Sequence, residues 1–360
     1  MRFPEFSGEW ELVALKEVAD FANGKAHEDS VSEDGKYILI NSKFISTEGK
    51  VKKYTDKQLS PLYKNQIVMV MSDLPNGKAL AKCYYINEDD KYTLNQRICS
   101  LTPTCCDSRF LLYQINRNKY YLRFDDGVNQ TNLKKGEVLN CPVYLPSSNE
   151  QQKISALLSL LDQRIATQKK VIEKYESLIR GIYHSVFSKP SSILQLREVV
   201  SVVKGKQVNG EELLKEGEYY VMNGGTEPSG YLNEYNTPAN TISISEGGNS
   251  CGYVQYNIKP FWSGGHCYSL LQKDDGINYQ YLYHFLKYME RDIMALRIGS
   301  GLPNVQKKDL ERFEIRVLPI EQQNRVAEIL EEVSAKCDLE KRILQRWQYQ
   351  KSFLLSNLFI

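Results

Sequence analysis

Several chemistries are missing from this 360-residue sequence. There is no Gly-x-x-x-x-Gly-Lys-Ser/Thr loop to cradle a nucleoside triphosphate, and no Gly-x-Gly-x-x-Gly between a strand and a helix to hold a dinucleotide. Histidine is scarce. His27, His184, His266 and His284 are the four, and none stands at His-Glu-x-x-His or another ligand spacing. His266 adjoins Cys267, but neighbours in a strand point to opposite faces, so the two do not share a metal. The eight cysteines form no Cys-x-x-Cys pair, which argues against a zinc ribbon and a thioredoxin-like redox site. They read as reduced thiols packed like small hydrophobes, with the adjacent Cys105 and Cys106 the one candidate for redox chemistry. No Asn/Asp-Pro-Pro-Tyr/Phe motif and no nuclease constellation is present. No segment approaches the roughly 18 to 20 uninterrupted apolar residues of a membrane span. Met1 to Trp10 carries no apolar signal-peptide core, so a cytoplasmic protein is expected.

Strong charge is also absent. Lys and Arg total 46 against 44 Asp and Glu, a net of +2. By segment the balance is 20 against 19 over residues 1–149, 6 against 4 over 150–188, 14 against 15 over 189–320, and 6 against 6 over 321–360. No part is globally basic, so charge alone does not announce a nucleic-acid binder.

What the sequence does hold is a duplication. Glu150-Gln151-Gln152 recurs as Glu321-Gln322-Gln323, and each triplet shortly follows a Leu-Pro, Leu145-Pro146 or Leu318-Pro319. Each opens a helical pattern. Apolar residues fall at Ile154, Leu157, Leu158, Leu161, Ile165, Ile172, Tyr175, Leu178, Ile179 and Ile182 in the first, and at Val326, Ile329, Leu330, Val333, Cys337, Leu344, Trp347, Leu354 and Phe359 in the second. Three- and four-residue spacing is that of a coiled-coil seam. Upstream, Leu15-Lys16-Glu17-Val18 matches Leu196-Arg197-Glu198-Val199, and Asn132-Leu133-Lys134-Lys135 matches Asn304-Val305-Gln306-Lys307. The order is domain 1–149, helix 150–188, domain 189–320, helix 321–360, with Ser188-Lys189-Pro190-Ser191-Ser192 as linker. A helix with one apolar stripe needs a partner. An antiparallel pair relating the halves by a pseudo-twofold is the simplest closure.

Within the domains the apolar runs are short and β-branched: Tyr37 to Ile40, Ile67 to Met71, Tyr219 to Met222, Thr241 to Ser245. They read as strands, and Phe110 to Arg123 and Tyr279 to Leu296 as amphipathic helices. The fold class is α+β: two strand-rich domains, each followed by a long helix. Several strands run into Gly- and Asn-rich loops, Ser72 to Lys78, Asn223 to Thr226, and Ser245 to Ser250. Such loops suit close approach to a ligand backbone, and equally suit plain turn chemistry. Lys and Arg near the domain ends (Arg117, Lys119, Arg123, Lys134, Lys135; Arg291, Arg297, Lys307, Lys308) are candidate phosphate contacts or a solvated face. A duplicated architecture with no duplicated acid, base or nucleophile reads as a binder. The residues alone leave two classes open, a two-headed DNA reader and a coiled-coil scaffold with protein- or glycan-binding heads.

The duplicated Leu-Pro and Glu-Gln-Gln before a long helix, the paired domain starts at Leu15 and Leu196, the strand-to-loop segments Ile67 to Lys78 and Thr241 to Gly252, and the opening Arg2-Phe3-Pro4-Glu5-Phe6 with Trp10 together resemble the specificity subunit of a type I restriction-modification system. The resemblance covers essentially the whole chain. It implies two target recognition domains, each reading one half of a split double-stranded DNA sequence. It implies an antiparallel coiled coil that spaces the domains and docks two DNA-methyltransferase subunits, along with restriction or translocase subunits. S-adenosylmethionine, ATP and Mg are then expected in those partners, with no cofactor, metal or catalysis in this chain. The near-neutral charge is accommodated if partners contribute phosphate contacts. By position, the candidate DNA contacts are Ser42, Lys43, Ser72, Asn76, Lys78, Lys134 and Lys135 in the first domain, and Asn223, Thr226, Asn249, Ser250, Arg297, Lys307 and Lys308 in the second. The candidate coiled-coil and partner-docking positions are Ile154, Leu158, Leu161, Ile165, Ile172, Tyr175, Val326, Leu330, Val333, Leu344 and Trp347.

Overall fold

A computed structural model of the chain describes residues 2–299, 301 and 303–359. Two compact units are formed, Met1–Thr167 with Leu344–Ile360, and Gln168–Ile343. The long helices are Ser148–Phe187 and Ile320–Leu358. Boundaries at 150 and 321 fall two residues and one residue inside these helices, whereas compactness gives each unit one half of each helix. At 1.5 Å per residue such a helix runs about 60 Å, longer than one small domain can cover.

The two units repeat one plan. In the first, Glu11–Ala14 pairs antiparallel with Pro142–Leu145, tying the start of the domain to its end. A single turn, Leu15–Val18, buries Leu15 and Val18. It leads into an antiparallel sheet in the order Ala19–Asn23, Ile98–Pro103, Ile67–Val70, Cys83–Tyr85. In the second, Ser192–Gln195 pairs with Glu314–Val317, the turn Leu196–Val199 buries Leu196 and Val199, and the sheet order is Val200–Lys204, Cys267–Gln272, Thr241–Ser245, Val254–Asn257. The matched Glu of the two turns has one task. Glu17 accepts the N–H of Ala14 at 2.8 Å, and Glu198 that of Gln195 at 2.5 Å, so each side chain caps its own turn. A further parallel pairing recurs, Tyr37–Ile40 with Tyr92–Leu94 and Tyr219–Met222 with Trp262–Ser263.

The central strands explain the uninterrupted apolar runs. Ile67–Val70 is buried throughout. Ile67 and Met69 pack with Leu101, Leu111, Tyr121 and Leu133, while Val68 and Val70 face a second cluster holding Ile38, Ile40 and Phe44. A strand covered on both faces has no polar alternation to show. The helical segments are more broken than their periodicity suggests. Tyr279 to Leu296 is two helices, Tyr279–Tyr288 and Glu290–Ala295, meeting at Met289. Phe110 to Arg123 divides into Ser108–Ile115 and Lys119–Leu122. There Arg117 takes φ +55° and the side chain of Asn118 accepts the N–H of Tyr120 at 2.8 Å, which starts a new helix.

The duplicated Glu-Gln-Gln triplets are one residue out of register. Ser148 and Ile320 open the long helices, a separation of 172, and Pro142–Leu145 and Glu314–Val317 keep the same separation. Gln151 is therefore the counterpart of Gln323, and hydrogen bonding agrees. Gln151 accepts the N–H of Asp107 at 2.9 Å and donates to the carbonyl of Pro146 at 2.9 Å. Gln323 accepts the N–H of Asn278 at 2.8 Å and donates to the carbonyl of Leu318 at 2.7 Å. Asp107 and Asn278 are themselves the caps of Ser108–Ile115 and Tyr279–Tyr288. One buried amide thus joins the start of each long helix to a domain helix. Glu150 has a different task. Fully buried, it meets the Arg2 guanidinium through two hydrogen bonds of 2.8 and 2.7 Å, while Phe3 and Trp10 pack with Phe110 and Phe359.

Within each unit the half-helices run antiparallel. In the first, Asp162 pairs with Lys351 and the Arg164 guanidinium lies 5.5 Å from the Trp347 ring, so numbers rise on one helix as they fall on the other. Ile154, Leu158 and Leu161 join Leu358, Trp347 and Leu354 in one cluster. In the second, Glu176 pairs with Lys341 at 3.0 Å, and Ile179, Ile182 and Phe187 pack with Val326, Ala327 and Leu330. No helix among the described residues is long and apolar enough to cross a membrane. All eight cysteines are free thiols, Cys105 exposed and Cys106 half-buried.

Two outcomes are expected. Gln323→Met keeps the volume but strands the N–H of Asn278 and the carbonyl of Leu318, and should cost about 1–3 kcal/mol, read from the urea midpoint. His284, buried with Nδ1 3.0 Å from the Tyr183 hydroxyl, is pushed down to about 4 by burial. The unfolded chain then binds the extra proton first. Stability contributed by the neutral ring is full above pH 6.5 and falls by about 3 kcal/mol as pH drops from 6.5 toward 4. Urea midpoints at pH 7 and 5 check the drop, and His284→Gln should flatten it.

Candidate nucleic-acid interface

The end of the central strand in each unit opens on a polar cleft. In the first unit the chain leaves Ile67–Val70, and Ser72 pairs antiparallel with Asn132 while Met71 accepts the N–H of Leu133 at 2.8 Å. In the second it leaves Thr241–Ser245, Gly247 bridges to Asn304, and Glu246 accepts the N–H of Val305 at 2.8 Å. The matched Asn132-Leu133 and Asn304-Val305 are thus bonded in the same way beside each cleft, where Gln130 of the one segment and Asn304 of the other form part of the lining. The turn into the neighbouring strand supplies another wall: Asn95, Gln96 and Arg97 before Ile98–Pro103, and His266 before Cys267–Gln272.

The first cleft encloses about 450 Å³ and is lined also by Asn41, Ser42, Asp73 and Gln130. Gln130 donates to the Ser72 hydroxyl at 2.7 Å. Asp73 shapes the loop beside it, accepting the N–H groups of Leu74 (2.9 Å), Ala79 (2.6 Å) and Leu80 (3.0 Å). A Cβ at Gly77 would come within 2.1 Å of the Asp73 carboxylate, so a larger residue there would displace the side chain that shapes the loop. Arg97 takes φ +65° and is exposed, and its guanidinium makes no hydrogen bond or ion pair among the described residues. The second cleft encloses about 590 Å³ and is lined by Lys204, Asn223, Ser229, Glu246, His266 and Asn304 with glycines 224, 225, 247 and 248. Asn223 braces it by accepting the N–H of His266 at 3.0 Å. The Glu246 carboxylate takes Lys204 at 2.6 Å and the Tyr268 hydroxyl at 3.2 Å. Burial, reinforced by that carboxylate, pushes the Tyr268 hydroxyl up, so it stays a donor.

Of the residues picked from the sequence, Ser42, Ser72 and Asn223 line the clefts. The others lie elsewhere. Asn76 occupies a turn at φ +54° and donates to the carbonyl of Gly127, which is the turn chemistry its type allows. Lys43, Lys78, Lys134, Thr226, Asn249, Arg297 and Lys308 are exposed outside the cleft linings, and Ser250 is half-buried in a turn. Lys135 lies 5.5 Å from the Phe21 ring, and Lys307 pairs with Glu311 at 3.6 Å. Arg117, a candidate phosphate contact, donates to the carbonyl of Leu80 at 3.1 Å and holds a loop instead. Sequence reasoning missed Asn41, Asn95, Arg97 and Gln130 in one cleft and Lys204, Glu246 and His266 in the other. The usable signal was the Asn132/Asn304 match, since Gln130, two residues before the one, and Asn304 itself line the clefts.

The helix positions serve packing. Ile154, Leu158, Leu161, Ile165, Ile172 and Leu330 are buried, and Tyr175, Val326, Val333, Leu344 and Trp347 half-buried. Leu178 and Ile329, counted in the stripe by spacing, are about half exposed, as are Leu160, Leu339 and Phe353, while Tyr349 is more so.

Residues 7–177 and 189–346 each match the family model described as the type I restriction modification DNA specificity domain. Similar proteins include a putative type I specificity subunit of Mycoplasma genitalium, 24% identical over 97% of this chain and 94% of that one. A type I restriction enzyme specificity subunit of Methanocaldococcus jannaschii is 21% identical over 99% and 93%. Among solved structures, a type I restriction-modification system S subunit from M. genitalium superposes with a TM-score of 0.78 at 22% identity, covering 100% of this chain and 99% of that one. A chain from a structure of type I restriction-modification complex assembly and conformational transition gives 0.52 at 16%, covering 98% of each. At these identities the structural likeness is one of fold.

Asp73→Ala should loosen the loop from Leu74 to Leu80. Hydrogen exchange at Ala79 and Leu80 should then quicken, with about 1.5–3 kcal/mol of local protection lost.

Proposed function

The chain belongs to the type I restriction modification DNA specificity family, and from that membership we propose that it reads a split sequence in double-stranded DNA, one half per unit, and positions partner subunits on it. The observation that carries the reading is the same cleft built twice: Ser72 with Asn132 and Gly247 with Asn304, each at the end of the central strand and each walled by polar side chains able to meet base edges or phosphates. Different side chains on a shared frame suit two half-sites of different sequence. Arg97 brings positive charge to the first cleft of a chain whose net charge is small, Lys204 in the second is paired with Glu246, and partners supply further phosphate contacts.

The chain acts by recognition, without a catalytic role of its own. Methylation and restriction belong to partners: two DNA-methyltransferase subunits using S-adenosylmethionine, and restriction or translocase subunits using ATP and Mg. The helix seam is occupied by packing, so partners meet the exposed apolar residues beside it, Leu160, Tyr349 and Phe353 in the first unit and Leu178, Ile329 and Leu339 in the second. A cytoplasmic site of action follows from a DNA substrate.

Co-expression with the partner methyltransferase, followed by mapping of methylated adenines across a genome, tests the reading. A split motif is expected. Replacing residues 1–149 with the corresponding domain of another family member should change one half of that motif and leave the other intact. A change in both halves refutes one-half-per-unit reading, and a continuous motif refutes the split.

A further inference from the structure

The two clefts share a backbone frame but differ in the side chains on it: Glu246 lines the second, whereas its counterpart Met71 packs against the core of the first unit. The carbonyl that accepts from Leu133 belongs to Met71, and the one that accepts from Val305 belongs to Glu246. On the neighbouring strand, Cys99 pairs with Met69 in the first sheet and Tyr268 with Ile244 in the second. An acid and a phenol in the second unit therefore replace a thioether and a thiol in the first.

Glu246 is 8% exposed. Its Oε1 is satisfied by Lys204 at 2.6 Å and Tyr268 at 3.2 Å. Its Oε2 is buried and takes no hydrogen bond among the described residues. Nδ1 of His266 lies 3.5 Å from it, an ion pair only when that ring is protonated. A buried carboxylate oxygen without a donor is costly, so it marks a place where a donor is due. The His266 side chain is 62% exposed, so its ring can turn aside and open Oε2 to the cleft. A carboxylate near DNA is repelled by phosphates unless it finds an N–H to accept. Lys204 offsets its charge but leaves the second oxygen unpaired. In the major groove, the donors that suit a carboxylate are the exocyclic amino groups of bases.

We infer that Glu246 is the base-selecting residue of the second unit, its Oε2 accepting a hydrogen bond from an exocyclic amino group, cytosine N4 or adenine N6, of a base docked at this cleft. The inference rests on the reading of the clefts as DNA-facing. Met71 gives the first unit no such acceptor, so the two half-sites differ at the equivalent position.

The test uses the full chain in complex with its methyltransferase partner, once the split motif is mapped. Each adenine of the half-site read by the second unit, other than the one that accepts the methyl group, is replaced in turn by purine, and each cytosine by N4,N4-dimethylcytosine, which lack the amino N–H. One position should lose methylation rate by roughly 5- to 150-fold, and the analogue that causes the loss identifies the base. In Glu246→Met, which has no oxygen to accept and carries the side chain found at the equivalent place in the first unit, that loss should disappear while the half-site of the first unit reads as before. Should that variant fail to assemble, Glu246→Ala, which also lacks an acceptor, takes its role. No sensitive position, or equal sensitivity in the variant, overturns the inference and leaves the DNA reading standing. A wild-type complex that modifies no split sequence overturns the DNA reading itself.

Discussion

A buried amide holds each unit together where its long helix begins. Gln151 and Gln323 each accept the N–H of a residue that caps a domain helix and donate to a carbonyl just before their own helix. Satisfying both ends of a buried amide admits few geometries, so the helix cannot rotate or slide without stranding a polar group. Everything downstream on the helix inherits that setting. Ile154, Leu158 and Leu161 then face Phe110 and Leu358, and Ala327 and Leu330 face Phe187 and Phe285. The Arg2–Glu150 pair is an addition to this frame in the first unit, and it ties Arg2 to the helix.

The same economy governs the clefts. Strand pairing between Ser72 and Asn132, or Gly247 and Asn304, uses backbone groups, so the frame survives a change of side chains around it. A frame held by main-chain bonds and walls made of variable side chains is the arrangement a module needs if one fold is to meet different sequences. Met71 with Cys99 and Glu246 with Tyr268 show how far two copies in one chain have diverged on one frame.

Much of the architecture was legible in residue order. Local features that depend on near neighbours came through: the β-branched runs became strands Tyr37–Ile40, Ile67–Val70, Tyr219–Met222 and Thr241–Ser245, and the apolar spacing after Pro146 and Pro319 became two long helices. Apparent motif identity misled where it competed with spacing. The Glu-Gln-Gln triplets match as letters at one register, but burial selects the register that places Gln151 and Gln323 alike, since only the buried amide has partners to lose.

The sequence by itself determined the duplication, the α+β class and the helix seam, because each is a periodic or repeated pattern written in neighbouring residues. Only the tertiary structure decided which polar residues gather. Asn95, Arg97 and Gln130 reach one cleft from segments more than 20 residues from Ser72, and Lys204, Glu246 and His266 converge from three separate strands or turns. Asn76 and Lys78, close to Ser72 in sequence, are carried away from it by the loop that Asp73 shapes. Strand order, not sequence distance, sets those neighbourhoods, and strand order is fixed by long-range pairing that no local pattern encodes.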